Sequence, residues 1–176
     1  VYVESAQDFP GGWMFVVRPS SPSLPAPSTL APIPSTALTV NASDNRTGMA
    51  QAVDGVRESR WLTGRPQDGT EWFGVTFDRP RDVATLRIAV ERSMTDYPRD
   101  LEVVSMVDGR EGPTLFRGSV LGALGAGVLA NPEHPDLVLT LPPNHSSGVL
   151  LKQHGHAPTW FWSIDELTLH EAVGPR

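Results

Sequence analysis

The chain has 176 residues and a formal net charge of −6, with 20 acidic against 14 basic side chains. That balance, with Lys152 the only lysine, excludes a general nucleic-acid binder, which needs clustered Lys and Arg to displace counterions, and leaves no polybasic membrane patch. The absence of cysteine excludes disulfides, thiolate nucleophiles and Cys-based zinc sites together. Apolar residues make up 39% of the chain, enough for a core, while 16 glycines and 17 prolines point to many turns and few long helices.

Residues 1–18 contain two strand-like pieces on either side of Pro10-Gly11-Gly12, read as a hairpin-like extension or the end of a preceding domain. Residues 19–36 are rich in Pro and Ser, a composition that favours polyproline II and reads as a semi-rigid linker. The six prolines between Pro19 and Ser43 exclude a membrane helix there. The second uncharged run, residues 118–132, is too short and too rich in glycine to span a bilayer.

From Leu38 onward the pattern changes to short period-2 segments separated by turn residues. Phe73, Val75 and Phe77 share one face of a strand, and Trp72, Gly74 and Thr76 the other. Ala84, Leu86, Ile88 and Val90 alternate in the same way, as do Leu101, Val103, Ser105 and Val107, and then Leu137, Leu139 and Leu141. Segments near 149–152 and 164–170 complete the set. No stretch sustains a 3.6-residue apolar period over three turns. The spacing predicts an all-β sandwich or jelly roll of about eight antiparallel strands over residues 37–172.

Five blocks then carry a resemblance. Ala52-Val53-Asp54-Gly55, followed by Ser59-Arg60-Trp61, is similar to the Ala-x-Asp-Gly loop and Ser/Thr-x-Trp of the discoidin family. That family includes coagulation-factor C-type domains and family 32 carbohydrate-binding modules. Glu71-Trp72-Phe73-Gly74, Thr85-Leu86-Arg87-Ile88, Tyr97-Pro98-Arg99-Asp100 and Phe161-Trp162-Ser163-Ile164-Asp165-Glu166-Leu167 follow in the family's order. The resemblance implies a discoidin-like jelly-roll β-sandwich whose loops at one end bind glycans, lipid headgroups or proteins.

It also implies site residues. In sugar-binding relatives the loop before the last strand presents an aromatic ring, here Trp160, with His154 in the same loop. A second loop supplies polar groups, here Arg92 and Asp96; Arg65, with Gln67 and Asp68 beside it, lies in the loop after Trp61. An aromatic face stacks on the C–H face of a sugar while neighbouring polar groups fix its hydroxyls. Trp61, Trp72 and Trp162 are expected in the core. His154 and His156, at i and i+2, have no visible third metal ligand and read as exposed loop histidines. Asp54, Ser59 and Glu166 are the counterparts of the family's calcium site, an all-oxygen set suited to a hard cation, although Val56 stands where relatives often carry Asp or Asn. The resemblance thus implies calcium as a structural cofactor; the alternative is that Asp54 caps its own turn and Glu166 accepts from the loop's backbone amides.

No nucleophile–base–orienter signature is present, nor a Gly-x-Ser-x-Gly or His-Glu-x-x-His motif. The expectation is a non-catalytic carbohydrate-binding module, extracellular or periplasmic. It would be the C-terminal accessory domain of an exported or membrane-bound carbohydrate-active enzyme, such as a bacterial cell-wall glycosyltransferase, with a glycan or cell-wall polysaccharide as partner. The alternative is a module that docks a protein or another domain of its parent chain, through the apolar residues Leu121, Leu124, Val128 and Leu129.

Overall fold

The computed structural model describes residues 2–9, 12–18, 29–90, 92 and 94–173. Two antiparallel sheets form the sandwich. One has four strands in the order β10 (Asp136–Thr140), β7 (Val83–Ala89), β13 (Glu166–Val173), β3 (Thr29–Pro32). The other has five, in the order β4 (Leu38–Ala42), β6 (Trp72–Arg81), β11 (Ser146–Gln153), β8 (Leu101–Val107), β9 (Arg110–Gly118). Short β5 (Trp61–Leu62) and β12 (Ser163–Ile164) pair across one end. The expected hairpin is formed by β1 (Tyr2–Phe9) and β2 (Gly12–Arg18), with Phe9 opposite Gly12.

The core follows from the period-2 pattern. Phe73, Val75 and Phe77 point inward from β6, Val149 and Leu151 from β11, and Leu101 and Val103 from β8. Leu86 and Ile88, Leu137 and Leu139, and Leu167 and Leu169 meet them from the other sheet. Trp61 and Trp162 close one end of this core, their ring centroids 5.3 Å apart and their planes at 88°, with Phe73 5.0 Å from Trp61. Such edge-to-face packing suits the aromatic quadrupole, and the Trp61 indole N–H donates to the Asp44 carbonyl at 3.0 Å.

Four sequence expectations change. Trp72 is not in the core: it shares the outer face of β6 with Gly74 and Thr76, the side opposite Phe73, and stays partly exposed. Thr29–Pro32, within the expected linker, is instead a strand of the sandwich, paired with residues 170–173 and followed by the buried Ile33. Pro32 is tolerated there because β3 is an edge strand; residues 19–28 lie outside those described. The strand β9 was not anticipated, because on a sheet edge only Leu115 of its residues is buried and no alternation shows.

Finally, part of the glycine-rich run forms α1 (Leu121–Ala130), packed against β10 and alongside β1. Gly127 makes that approach possible, since a Cβ there would collide with the Asp136 carbonyl. Leu121 and Leu124 are buried and Val128 packs on the core, leaving Leu129, 58% exposed, as the large apolar side chain facing solvent. The continuous apolar contact surface expected of this segment is therefore largely used inside the domain.

Candidate functional site

Segments 63–71, 94–100 and 154–162 converge at the end of the sandwich capped by Trp61 and Trp162. Gln67, only 2% exposed, ties them together. Its Nε2 donates to the carbonyls of Tyr97 at 3.0 Å and Phe161 at 2.7 Å, and its Oε1 accepts from the Arg99 amide at 3.2 Å. Its backbone N–H donates to the Trp160 carbonyl at 3.1 Å, and its own carbonyl accepts from Ala157 at 3.0 Å. Gln153, fully buried, does the same one layer down: Oε1 accepts from the amides of Asp100 and Gly155, and Nε2 donates to the Gly155 carbonyl. Buried amides satisfied on both ends fix backbone that would otherwise be loose loop.

Trp160 is carried on this frame and is 44% exposed, while its neighbour Phe161 turns partly inward. Arg92, also exposed, lies on the adjoining segment. Its amide donates to Asp165 Oδ2 at 2.8 Å and its guanidinium reaches the Glu58 carbonyl. The Asp96 carbonyl accepts from Ser163 at 3.0 Å, which lays this segment beside the strand leading from Trp160. The Asp96 side chain faces inward, 8% exposed and 3.7 Å from Arg60 Nη1, so it braces the loop rather than offering an outward acceptor.

Arg65 is likewise committed within the protein. It pairs with Asp44 at 2.8 Å, Asp68 at 2.6 Å and Glu71 at 3.0 Å. Its hydrogen bonds to Asp44 and then Asp68 raise its pKa further above the usual guanidinium value, while the same contact holds the Asp68 carboxyl well below the usual range. His154 points away from Trp160's loop tip to the outer face of the five-stranded sheet, where Nε2 lies 2.8 Å from Glu102 Oε2. That hydrogen bond is the largest influence lowering the Glu102 pKa. His156 is exposed, and among the described residues no cluster of three His, Cys, Asp or Glu is placed to hold a metal. Sequence reasoning did not single out Arg99, whose guanidinium lies 3.9 Å over the ring of buried Tyr97. The spacing of Arg99 two residues after the aromatic Tyr97, across Pro98, was the available signal.

No protein-family model matches the chain, and no curated protein does. Among solved structures it is similar to the family 32 carbohydrate-binding module of Clostridium perfringens NanJ in complex with galactose, at TM-score 0.65 and 17% identity, over 81% of this chain and 100% of that one. A Clostridium perfringens module, CpGH89CBM32-5, in complex with GalNAc-β-1,3-galactose matches at TM-score 0.61 and 14% identity, over 79% of this chain and 99% of that one. Chitosan-binding module 1 from the chitosanase/glucanase of Paenibacillus sp. IK-5 matches at TM-score 0.58 and 16% identity, over 76% and 94%. The fold is that of the family 32 carbohydrate-binding modules.

On this family 32 fold, residues 51–59 and Glu166 form a separate oxygen-rich loop. Gly55, at φ +78°, makes the turn, and Val56 N–H donates to Asp54 Oδ1 at 2.9 Å. Ser59 Oγ lies 2.8 Å from Asp54 Oδ2, 2.9 Å from the Val56 carbonyl, 3.0 Å from Asp54 Oδ1 and 3.3 Å from the Gln51 carbonyl. One hydroxyl proton cannot serve four acceptors, so the loop gathers more lone pairs than it has donors. Glu166 Oε2 accepts from Gly55 N–H at 3.0 Å. Burial raises the Glu166 pKa, and the charge of Asp54 pushes it the same way. Two carboxylates, a hydroxyl and two carbonyls are the donor chemistry a hard divalent cation takes. Val56, without a side-chain ligand, still contributes its carbonyl to the set.

Proposed function

We propose that this chain is a non-catalytic carbohydrate-binding module that takes a glycan at the Trp160 end of its sandwich. The observation that carries this reading is an indole 44% exposed on a loop whose backbone is bonded, through buried Gln67, to two neighbouring loops. Large apolar rings are normally buried, and one held outward on a braced loop offers a sugar a stacking face with little left to order on binding. Arg92, exposed on the next segment and bonded through its guanidinium to the Glu58 carbonyl, is the group we assign to donate its remaining N–H groups to ring hydroxyls. The similarity of the fold to modules solved with galactose and with GalNAc-β-1,3-galactose supports the same class of ligand.

The natural setting for such a module is outside the cytoplasm, tethered to a carbohydrate-active enzyme such as a bacterial cell-wall glycosyltransferase. Binding there raises the effective concentration of polysaccharide near a catalytic domain, so a weak single site is enough. Calcium is the proposed structural cofactor, held by Asp54, Glu166, Ser59 and the carbonyls of Gln51 and Val56. It would supply positive charge to an oxygen-lined loop and take no part in chemistry on the glycan.

A glycan array probed with wild type and Trp160→Ala tests the reading. Binding should fall by about tenfold or more in the variant, equivalent to roughly 1.4 kcal/mol, because the stacking face is gone. The melting temperature should stay within about 2 °C, since an exposed ring contributes little packing. Two equally stable proteins that bind no glycan would overturn the proposal.

A further inference from the structure

The outer face of the five-stranded sheet carries a groove of about 370 Å³, lined partly by the end of the 63–71 loop and reaching along β6, β11 and β8. We propose that this groove is a second saccharide-binding site, resting on the carbohydrate-binding reading above and extending it to a chain that crosses the sheet.

Strand register builds its floor. Gly74 lies opposite Leu150 on β11, Trp72 opposite Lys152, and Gly148 opposite Met106 on β8. The missing side chain at Gly74 leaves a hollow bordered by the Trp72 ring and the Leu150 side chain, whose nearest carbons would stand 3.6 and 3.5 Å from a Cβ placed there. The floor is therefore an aromatic ring, aliphatic carbon and a thioether at Met106, with no charged group of its own.

The rim is polar and balanced. Lys152 Nζ pairs with Glu111 Oε2, and His154 Nε2 with Glu102 Oε2. Each donor stands beside an acceptor, so the rim presents alternating hydrogen-bonding groups, and Arg117, 3.8 Å from Glu102, joins Lys152 to set two cations against the two carboxylates.

That combination selects a ligand class. An anionic ligand would meet Glu111 and Glu102 as readily as Lys152, and a cationic one the reverse, so the paired rim favours neither. A purely apolar ligand would strip water from the rim's ion pairs without offering them a hydrogen bond, and desolvating paired charges is itself costly. A neutral sugar ring has an apolar C–H face for the floor and an edge of hydroxyls, each both donor and acceptor, for the rim. The volume lies in the range of small-molecule sites, which begins at about 300 Å³.

The sequence holds five tryptophans, so indole N–H resonances of ¹⁵N-labelled protein report on Trp72 and Trp160 separately. The probes are β-1,4-galactotetraose, an arabinofuranose hexamer and N-acetylchitotetraose, each titrated to about 10 mM, a range in which contacts worth a few kcal/mol register. At least one probe should shift the Trp72 resonance saturably, in wild type and in Trp160→Ala alike. In Trp72→Leu and in Lys152→Ala, backbone amides of β8 and β11 should show that affinity reduced by about tenfold and about threefold, or roughly 1.4 and 0.7 kcal/mol. Movement of the Trp160 resonance alone would overturn the second site and leave the module's function standing. A Trp72 shift that disappears in Trp160→Ala would show only transmission from the loop site and would also overturn it. No movement of either resonance with any probe would overturn both proposals.

Discussion

Replacing Gln67 by alanine tests whether the loops around Trp160 are held by one buried amide. The substitution removes three hydrogen bonds, to the Tyr97 and Phe161 carbonyls and from the Arg99 amide, at 3.0, 2.7 and 3.2 Å. Each is worth about 1 kcal/mol net, and a group left buried without a partner costs roughly 1–3 kcal/mol. The bond to Tyr97 is fully buried, whereas those to Phe161 and Arg99 lie where water can replace the lost amide. The loss of stability should therefore be about 2–4 kcal/mol. For a domain of this size that is a drop in melting temperature of roughly 5–15 °C. Hydrogen exchange should quicken at the amides of Arg99 and Ala157, and glycan affinity should fall even though Gln67 touches no ligand. Gln67→Glu keeps the volume but turns a donor toward two carbonyls into an acceptor, so it should be no better than alanine. A melting temperature within 2 °C of wild type, together with unchanged exchange at Arg99, would refute the reasoning.

Calcium should raise the melting temperature by about 5–10 °C when present at a hundredfold its dissociation constant, corresponding to roughly 2.7 kcal/mol, and Asp54→Asn should abolish the rise in differential scanning calorimetry. In chelator the Glu166 carboxyl has a raised pKa in the fold, so its ionised form opposes folding. Stability should then fall as pH rises from about 4.3, the ordinary glutamate value, through the folded pKa, and Glu166→Gln should flatten that slope in urea titrations at successive pH values. Gly127→Ala should lower stability by about 1–3 kcal/mol or more in the same titrations, because the new methyl collides with the Asp136 carbonyl and forces α1 off β10.

The period-2 pattern of residues 72–77, 84–90, 101–107 and 137–141 was legible because a strand's alternation is local: each side chain's face follows from its neighbour's. The same parity already set Trp72 opposite Phe73, which is why the outer-face position found in the structure agrees with the pattern and not with the habit of burying tryptophan. The burial of Trp61 and Trp162 was legible from their places in the family-like blocks, and large rings of this kind dominate sandwich cores.

Elements stabilised by distant partners were not legible. Four residues of a Pro-rich run become β3 only because β13 offers an open edge, and α1 is helical despite three glycines in its ten residues because β10 and β1 take its faces. The site divides along the same line. Sequence alone determined that an aromatic residue, two arginines and a carboxylate-bearing turn sit in loops of an all-β chain without cysteine. Tertiary structure decided that Trp160 faces out, that Asp96 and Arg65 are occupied with Arg60 and with Asp44, Asp68 and Glu71, and that His154 belongs to the sheet face. It also turned Gln67 from a polar loop residue into the brace of the site, since its side-chain partners lie 30 and 94 residues away along the chain. Whether a polar side chain meets ligand or protein depends on what the fold brings within hydrogen-bonding distance, and local sequence carries no record of that distance.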